Sequence, residues 1–409
     1  MAVLFSLVLL LSVGLLPHAA AAESAPRIAV AADPHYISPR LTDRGAAFSR
    51  VVTNADGKVA FYSEELLSAF VEQMLRDRPD VLLLPGDLTF NGGRESHEDL
   101  AAKLRVLTEA GIPVFVIPGN HDIAYRNAAR FSGDGYQRVA SPSSAEFAEI
   151  WRDYGYAQAL SRDAASLSYT AALAPGWRLL MIDVNMEDAP GRVKDETVAW
   201  AKRALAEAKA AGCRVLSVSH QTLLQHNPMF DEGFRMQNAA ALLSVLEEGS
   251  SLHLSGHMHI QRFAESAGGL TEITGSALSV QPCQYGLLTL GGDALEYHTV
   301  RTDVSGWARR RGLTDPNLLD FGGYALSFFA SSTVRQAASA LRGAQGIEQT
   351  LLWLLNTNIG YYSGRLGAAK ENEGAMRLLM ERAPFWGLYM KSILPDIGHD
   401  YTALTLPLR

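Results

Sequence analysis

The chain has 409 residues, of which 48% are hydrophobic and 19% charged, and its formal net charge is −7. That length suits one large domain with an appendage and allows a sizeable buried core. The acidic balance argues against binding a nucleic-acid duplex by general phosphate neutralisation, and two cysteines, Cys213 and Cys283, exclude a disulfide framework.

Residues 2–16 are almost wholly apolar, Pro17 breaks the run, and Ala19 to Ala22 offer a small-residue cleavage site. This pattern predicts a secretory signal peptide over residues 1–22, cut near Ala20 or Ala22, and an exported mature chain. The run is shorter than the ~20 residues of a spanning helix, and a charged start is missing. Left uncleaved, it would serve as a membrane anchor.

Short runs rich in branched residues follow at 27–32, 81–84, 114–117, 179–182, 215–218 and 252–254. Their length and composition predict strands buried on both faces. Helical patterns lie between them. Residues 63–76 open on a capping-box arrangement at Ser63, Glu64 and Glu65, and 98–110 and 196–211 are amphipathic, the latter stopping at Gly212. From 271 the rhythm changes to 271–274, 287–290 and 295–300, read as adjacent antiparallel strands with a turn at Gly291-Gly292. Residues 23–302 therefore predict a layered α/β sandwich, sheets inside and helices outside. After Asp303 the strand signal stops. Helical stretches at 317–326, 333–341, 347–355 and 374–383 predict a bundle of about four helices over 303–409.

The chemistry-bearing residues sit where the apolar runs stop: Asp33-Pro34-His35, Gly86-Asp87, Gly119-Asn120-His121-Asp122, Ser219-His220 and Gly256-His257-Met258-His259. The carboxyl ends of strands in an open α/β sheet share one edge, where ligands bind. Alternate residues of an extended segment point the same way, which favours His257 and His259 acting together. Taken singly, each motif reads equally as a cap, a turn or a core histidine. The five in this order predict a metal site. Imidazole and carboxylate without thiolate suit Zn, Mn or Fe, and Asp87 is placed to bridge two cations.

These motifs resemble the calcineurin-like metallophosphoesterases over about residues 27–300. The resemblance implies a four-layer α/β/β/α sandwich with a C-terminal α-helical bundle, and two divalent transition-metal ions (Mn, Fe or Zn). It implies Asp33, His35, Asp87 and His259 on the first ion and Asp87, Asn120, His220 and His257 on the second. His121 would touch the substrate phosphate or protonate the leaving oxygen, with Asp122 holding its ring. Asn91, in the loop after Asp87, and Asn120 are candidate substrate contacts. The implied reaction is attack by a metal-bound hydroxide, without a covalent protein intermediate.

Within that superfamily, the segment Gly86 to Gly92 lacks the arginine of protein Ser/Thr phosphatases, and Phe90 stands where purple acid phosphatases place tyrosine. Asp122-Ile123-Ala124 differs from the corresponding segment of secreted 5′-nucleotidases. The motif set is instead similar to class III cyclic-nucleotide phosphodiesterases, and among them to exported bacterial members with a helical tail, with Ser96-His97-Glu98 and Asn317-Leu318-Leu319-Asp320-Phe321 fitting that group. Gln221 departs from it, standing where such relatives often carry a second histidine. The resemblance implies a small phosphodiester substrate, a cyclic nucleotide. The alternatives are a phosphomonoesterase or pyrophosphate-bond hydrolase on the same site, or a non-catalytic exported interaction protein. His97 and His226 read as groove or surface residues and Asp183 as a structural carboxylate. Tyr36, Trp151 and Tyr154 read as stacking or packing aromatics, and Trp353, Trp386 and Tyr389 as bundle core.

Overall fold

The computed structural model describes residues 25–408, so the expected signal peptide lies outside the described residues. Among these residues two sheets form the centre. The first runs in the order Ala403–Pro407, Ala294–Arg301, Gln284–Leu290, Arg27–Val30, Val81–Pro85 and Val114–Ile117. Its last three strands are parallel, with Ile28 opposite Val81 and Leu82 opposite Val114. The second sheet runs Arg262–Glu265, Thr271–Thr274, Leu252–Ser255, Arg214–Ser219, Trp177–Ile182, Tyr169–Ala174 and Ser161–Arg162.

Side-chain alternation decides the layers. Leu179 and Met181 enter the core between the sheets, whereas Leu180 and Ile182 face the other way. There they meet Trp200, Ala201 and Leu205 of the helix Asp195–Ala210 and Leu242 of Ala239–Leu246. Helices Ser63–Asp77 and Arg94–Glu109 bring Leu66, Phe70, Leu100 and Leu104 onto the first sheet. The layers are thus α/β/β/α, the fold class expected.

Two sequence expectations are corrected. Thr271–Thr274 does not neighbour the antiparallel pair Gln284–Leu290 and Ala294–Arg301; it lies parallel to Leu252–Ser255 in the other sheet. All four of its residues are buried, as a strand covered on both faces requires. Nor does the strand signal end at Asp303. Ala403–Pro407 returns to pair antiparallel with Ala294–Arg301 at the edge of the first sheet. Its alternation is regular, but five residues give too short a pattern to separate from a loop.

Between these points lie the helices Val304–Arg310, Pro316–Leu319, Phe321–Leu341, Ile347–Ser363, Glu373–Arg382 and Pro384–Ile393. The stretches expected at 317–326 and 333–341 merge largely into the one helix Phe321–Leu341, within which the Ser331 hydroxyl folds back onto the Ser327 carbonyl. The bundle core of Leu341, Leu354, Leu379 and Met390 takes in Met258 and Ile260 from the sandwich. The helical region therefore shares its interior with the edge that carries the histidines. No helix among the described residues is long and apolar enough to cross a membrane. Cys213 and Cys283 are both free.

Candidate metal centre

The metal-site motifs converge where the two sheets present their strand ends. Five of the seven expected ligands occupy the left-handed backbone region: Asp33 (φ 51°), His35 (43°), Asp87 (48°), His257 (66°) and His259 (58°). A non-glycine residue there costs on the order of 1–3 kcal/mol and persists where its surroundings over-determine it, as at functional sites. The motif glycines serve the same packing. A Cβ on Gly119 would overlap Asp87, and one on Gly256 would sit 2.6 Å from Asp33 Oδ2.

The donors fall into two groups. In the first, His35 Nε2 lies 3.1 Å from His259 Nε2 and 3.6 Å from Asp87 Oδ2, and His259 Nε2 lies 3.6 Å from Asp33 Oδ1. In the second, His220 Nε2 lies 3.3 Å from Asp87 Oδ1, 3.0 Å from Asn120 Oδ1 and 3.2 Å from His257 Nδ1. Ligands held about 2.0–2.2 Å from one ion stand roughly 3.0–3.6 Å from each other, so both groups have the spacing of a coordination shell. Asp87 turns one carboxylate oxygen to each. The residues present fit two metal ions, with Asp87 shared.

The outward ring nitrogens of three of the four ligand histidines are also committed, whereas His35 Nδ1 is buried without a partner. His220 Nδ1 faces the Pro85 carbonyl at 2.9 Å, His257 Nε2 the Gly233 carbonyl at 2.9 Å, and His259 Nδ1 the Asp56 carboxylate at 2.8 Å. Donating N–H on the outer side leaves the inner nitrogen's lone pair for an ion. Burial disfavours a charged His220, yet Asp87 and Asp33 push it up to about 9. His259 also reaches about 9, burial being outweighed by Asp56. Burial and the neighbouring His220 bring His257 down to about 4.

Two expected roles are corrected. Asp122 does not hold the His121 ring. Its carboxylate is saturated by the N–H groups of Leu88 and Thr89 (both 3.0 Å) and Gly119 (2.8 Å) and by the Thr89 hydroxyl (3.0 Å). It braces the loop after Asp87 against the Gly119 turn, and burial together with Asp87 raises it to about 7. The His121 ring is held otherwise: Nδ1 lies 2.9 Å from the Phe90 carbonyl, and the ring stacks on Tyr125 at 4.9 Å. The second correction is Asn91, which is buried with its amide donating to the Ala129 carbonyl at 2.9 Å, away from the cavity beside the ligands.

The remaining candidates resolve as follows. His97 and His226 are buried, neither in the groove nor on the surface. His97 accepts from Trp151 Nε1 and its Nε2 faces the Asp122 carbonyl, while His226 lies 3.2 Å from Glu272. Asp183 is structural, accepting from Leu167 and Asn185. Gln221 exchanges two amide hydrogen bonds with Asn185, which also reaches the Pro118 carbonyl beside the Asn120 turn. Tyr36, Trp151 and Tyr154 are packed inside. Trp386 and Tyr389, expected only as bundle core, line the cavity, while Trp353 donates to the Lys370 carbonyl. Sequence reasoning missed Asp56 and Lys58. They lie in a turn with no motif, and only the folded chain brings Asp56 to His259.

A cavity of about 330 Å³ adjoins the ligands. Asp87, Asn120, His121, His257 and His259 form one wall, and Phe230 and Phe234 of the loop before Ala239–Leu246, with helices of the C-terminal region, form the other. Residues 26–261, more than half of the chain, match the family model described as calcineurin-like phosphoesterase. The chain belongs to that family. The two donor groups make this calcineurin-like phosphoesterase a dimetal hydrolase, and its residues 303–400 match the C-terminal domain of cyclic nucleotide phosphodiesterase. Among solved structures, a dimetal phosphatase from Danio rerio shares the fold at 16% identity and TM-score 0.50, covering 68% of this chain and 98% of that one. The Plasmodium inner-membrane-complex anchor GAP50 aligns at 12% identity and TM-score 0.38, covering 68% of this chain and 85% of its own. No curated protein matches the sequence.

Proposed function

We propose that this phosphoesterase hydrolyses small phosphodiesters, with cyclic nucleotides as its substrate class, and that it works outside the cytoplasm. The observation that carries the substrate reading is the composition of the cavity's second wall. Phe230, Phe234, Phe385, Trp386 and Tyr389 line it, and among its described lining residues Lys58 is the one Lys or Arg, tied to Asp56 at 2.8 Å. A monoester dianion calls for a free cationic grip, which this wall lacks. A diester carries a single charge, and the base of a cyclic nucleotide presents a flat ring that aromatic faces accommodate. The match of residues 303–400 to a cyclic-nucleotide phosphodiesterase domain supports the same reading.

A pair of divalent ions held by the seven ligands would supply Lewis acidity toward phosphoryl oxygens and make water a better nucleophile. The chain's own part is positioning and proton handling. Nδ1 of His121, donating to the Phe90 carbonyl, fixes the ring. Its Nε2 then contacts a phosphoryl oxygen or passes a proton to the departing alkoxide. The export reading rests on the apolar segment at 2–16 and its alanine-rich end.

The test is a panel on the Mn²⁺-loaded protein: 3′,5′- and 2′,3′-cyclic nucleotides, bis(4-nitrophenyl) phosphate and 4-nitrophenyl phosphate. The diesters should exceed the monoester in kcat/KM by at least about tenfold, or 1.4 kcal/mol in barrier. A monoester preference of that size overturns the reading.

A further inference from the structure

The turn that carries Asp56 is built into the C-terminal helix Phe321–Leu341. The Ser332 hydroxyl donates to the Ala55 carbonyl at 2.9 Å, and Arg335 donates to the Thr53 carbonyl at 3.1 Å. Beyond them Gly57, at φ +87°, lies so close to Phe329 that a Cβ would come within 2.8 Å of its ring. On the other side of the turn, Val59 N–H donates to the Ser279 carbonyl at 2.8 Å, which ties it to the segment entering the first sheet. The turn is thus clamped from both sides. Its product is a placed carboxylate: Asp56 Oδ1 takes the Lys58 ammonium at 2.8 Å, and Oδ2 takes His259 Nδ1 at 2.8 Å.

We infer that Asp56 is a positioning residue for the first metal site, and that the Phe321–Leu341 helix holds it there. The helical region is then part of the metal-binding apparatus as well as a wall of the cavity. The link between Asp56 and the ion is one imidazole, that of His259. Asp56 keeps the His259 N–H on Nδ1 and aims Nε2 at the same space as His35 Nε2 and Asp33. A carboxylate behind a ligating imidazole both orients the ring and raises its donor strength, and removing such a partner typically weakens metal binding by 10–100-fold. The second site has no equivalent: His220 and His257 lean on the backbone carbonyls of Pro85 and Gly233. An effect of Asp56 should therefore fall on one ion of the pair.

The experiment is calorimetric titration of the metal-free full chain with Mn²⁺. The native chain should take up two ions. Asp56→Ala should weaken one of them by about 10–100-fold and leave the other within about threefold. His259→Ala should weaken the same ion more severely, which identifies the site. Asp56→Asn retains an acceptor for Nδ1–H and should recover part of the loss, which a merely structural defect would not. For the helix, the double variant Phe329→Ala/Ser332→Ala should weaken that ion by several-fold while circular dichroism stays native. Two native-affinity ions in Asp56→Ala overturn the role of Asp56, and unchanged binding in the double variant overturns the role of the helix. Neither readout depends on which phosphoester is cleaved.

Discussion

His121 and Asp87 sit next to each other in the site yet should fail in different ways. Asp87 offers one oxygen to each donor group, so Asp87→Ala should cost both ions in metal analysis after dialysis. His121 gives its backbone N–H to Asp87 Oδ1 at 2.8 Å, while its ring is anchored to Phe90. His121→Ala leaves that backbone contact in place. It should keep two ions and lose about 10²–10⁴-fold in kcat, the usual worth of a positioned proton-transfer group. A variant that emptied the site as well would make His121 a ligand. The two donor groups were legible in the sequence because each of their residues stands in a short contiguous motif at the end of an apolar run. The role of Asp122 was not. A carboxylate next to a candidate acid invites pairing with it, and nothing in a linear sequence shows that loop amides nearby have already saturated it.

At the level of elements, the strands buried on both faces and the amphipathic helices were readable from their periodicity, since burial imposes it. What escaped were partnerships across long sequence separations. Thr271–Thr274 chose a parallel neighbour in the second sheet, and the turn at 54–58 found its partners in a helix more than 270 residues away. The helical region is fastened at a further point by Arg262, on the edge strand Arg262–Glu265, whose guanidinium meets the buried Asp396 carboxylate through two nitrogens at 2.9–3.1 Å. Tyr401 also donates to Asp396 at 2.7 Å. Removing one partner of a mostly buried pair strands the other charge. Asp396→Ala should therefore lower unfolding free energy by on the order of 3 kcal/mol in a urea titration. A change under about 0.5 kcal/mol would mean the pair behaves as an exposed one.

For the molecule as a whole, protons and metals compete for the same side chains. In the metal-free protein His220 and His259, both raised to about 9, carry protons at pH 7. Metal uptake must displace them, so the two ions should together release about two protons at pH 7 and bind more weakly as pH falls below about 9. Calorimetry in buffers of different ionisation enthalpy measures that release, and none at all would contradict the raised values. The linkage in the metal-free chain has the opposite sign. A pKa raised above the unfolded 6.5 favours the fold fully below that pH, and the contribution is lost as pH rises through about 9. Chelation should thus destabilise the protein most at alkaline pH.

The return of Ala403–Pro407 to the first sheet has a consequence in time. A ribosome emits the chain in order, so all seven candidate ligands emerge before the six C-terminal helices, and the strand that covers Ala294–Arg301 emerges after them. Until then the sheet carries a bare edge, the kind of surface that recruits foreign strands. The same waiting period leaves Asp56 without its clamp. A nascent chain of about 300 residues would hold every ligand and still be unfinished as a metal-binding protein, so a translation arrest there should yield aggregation before it yields a partial enzyme.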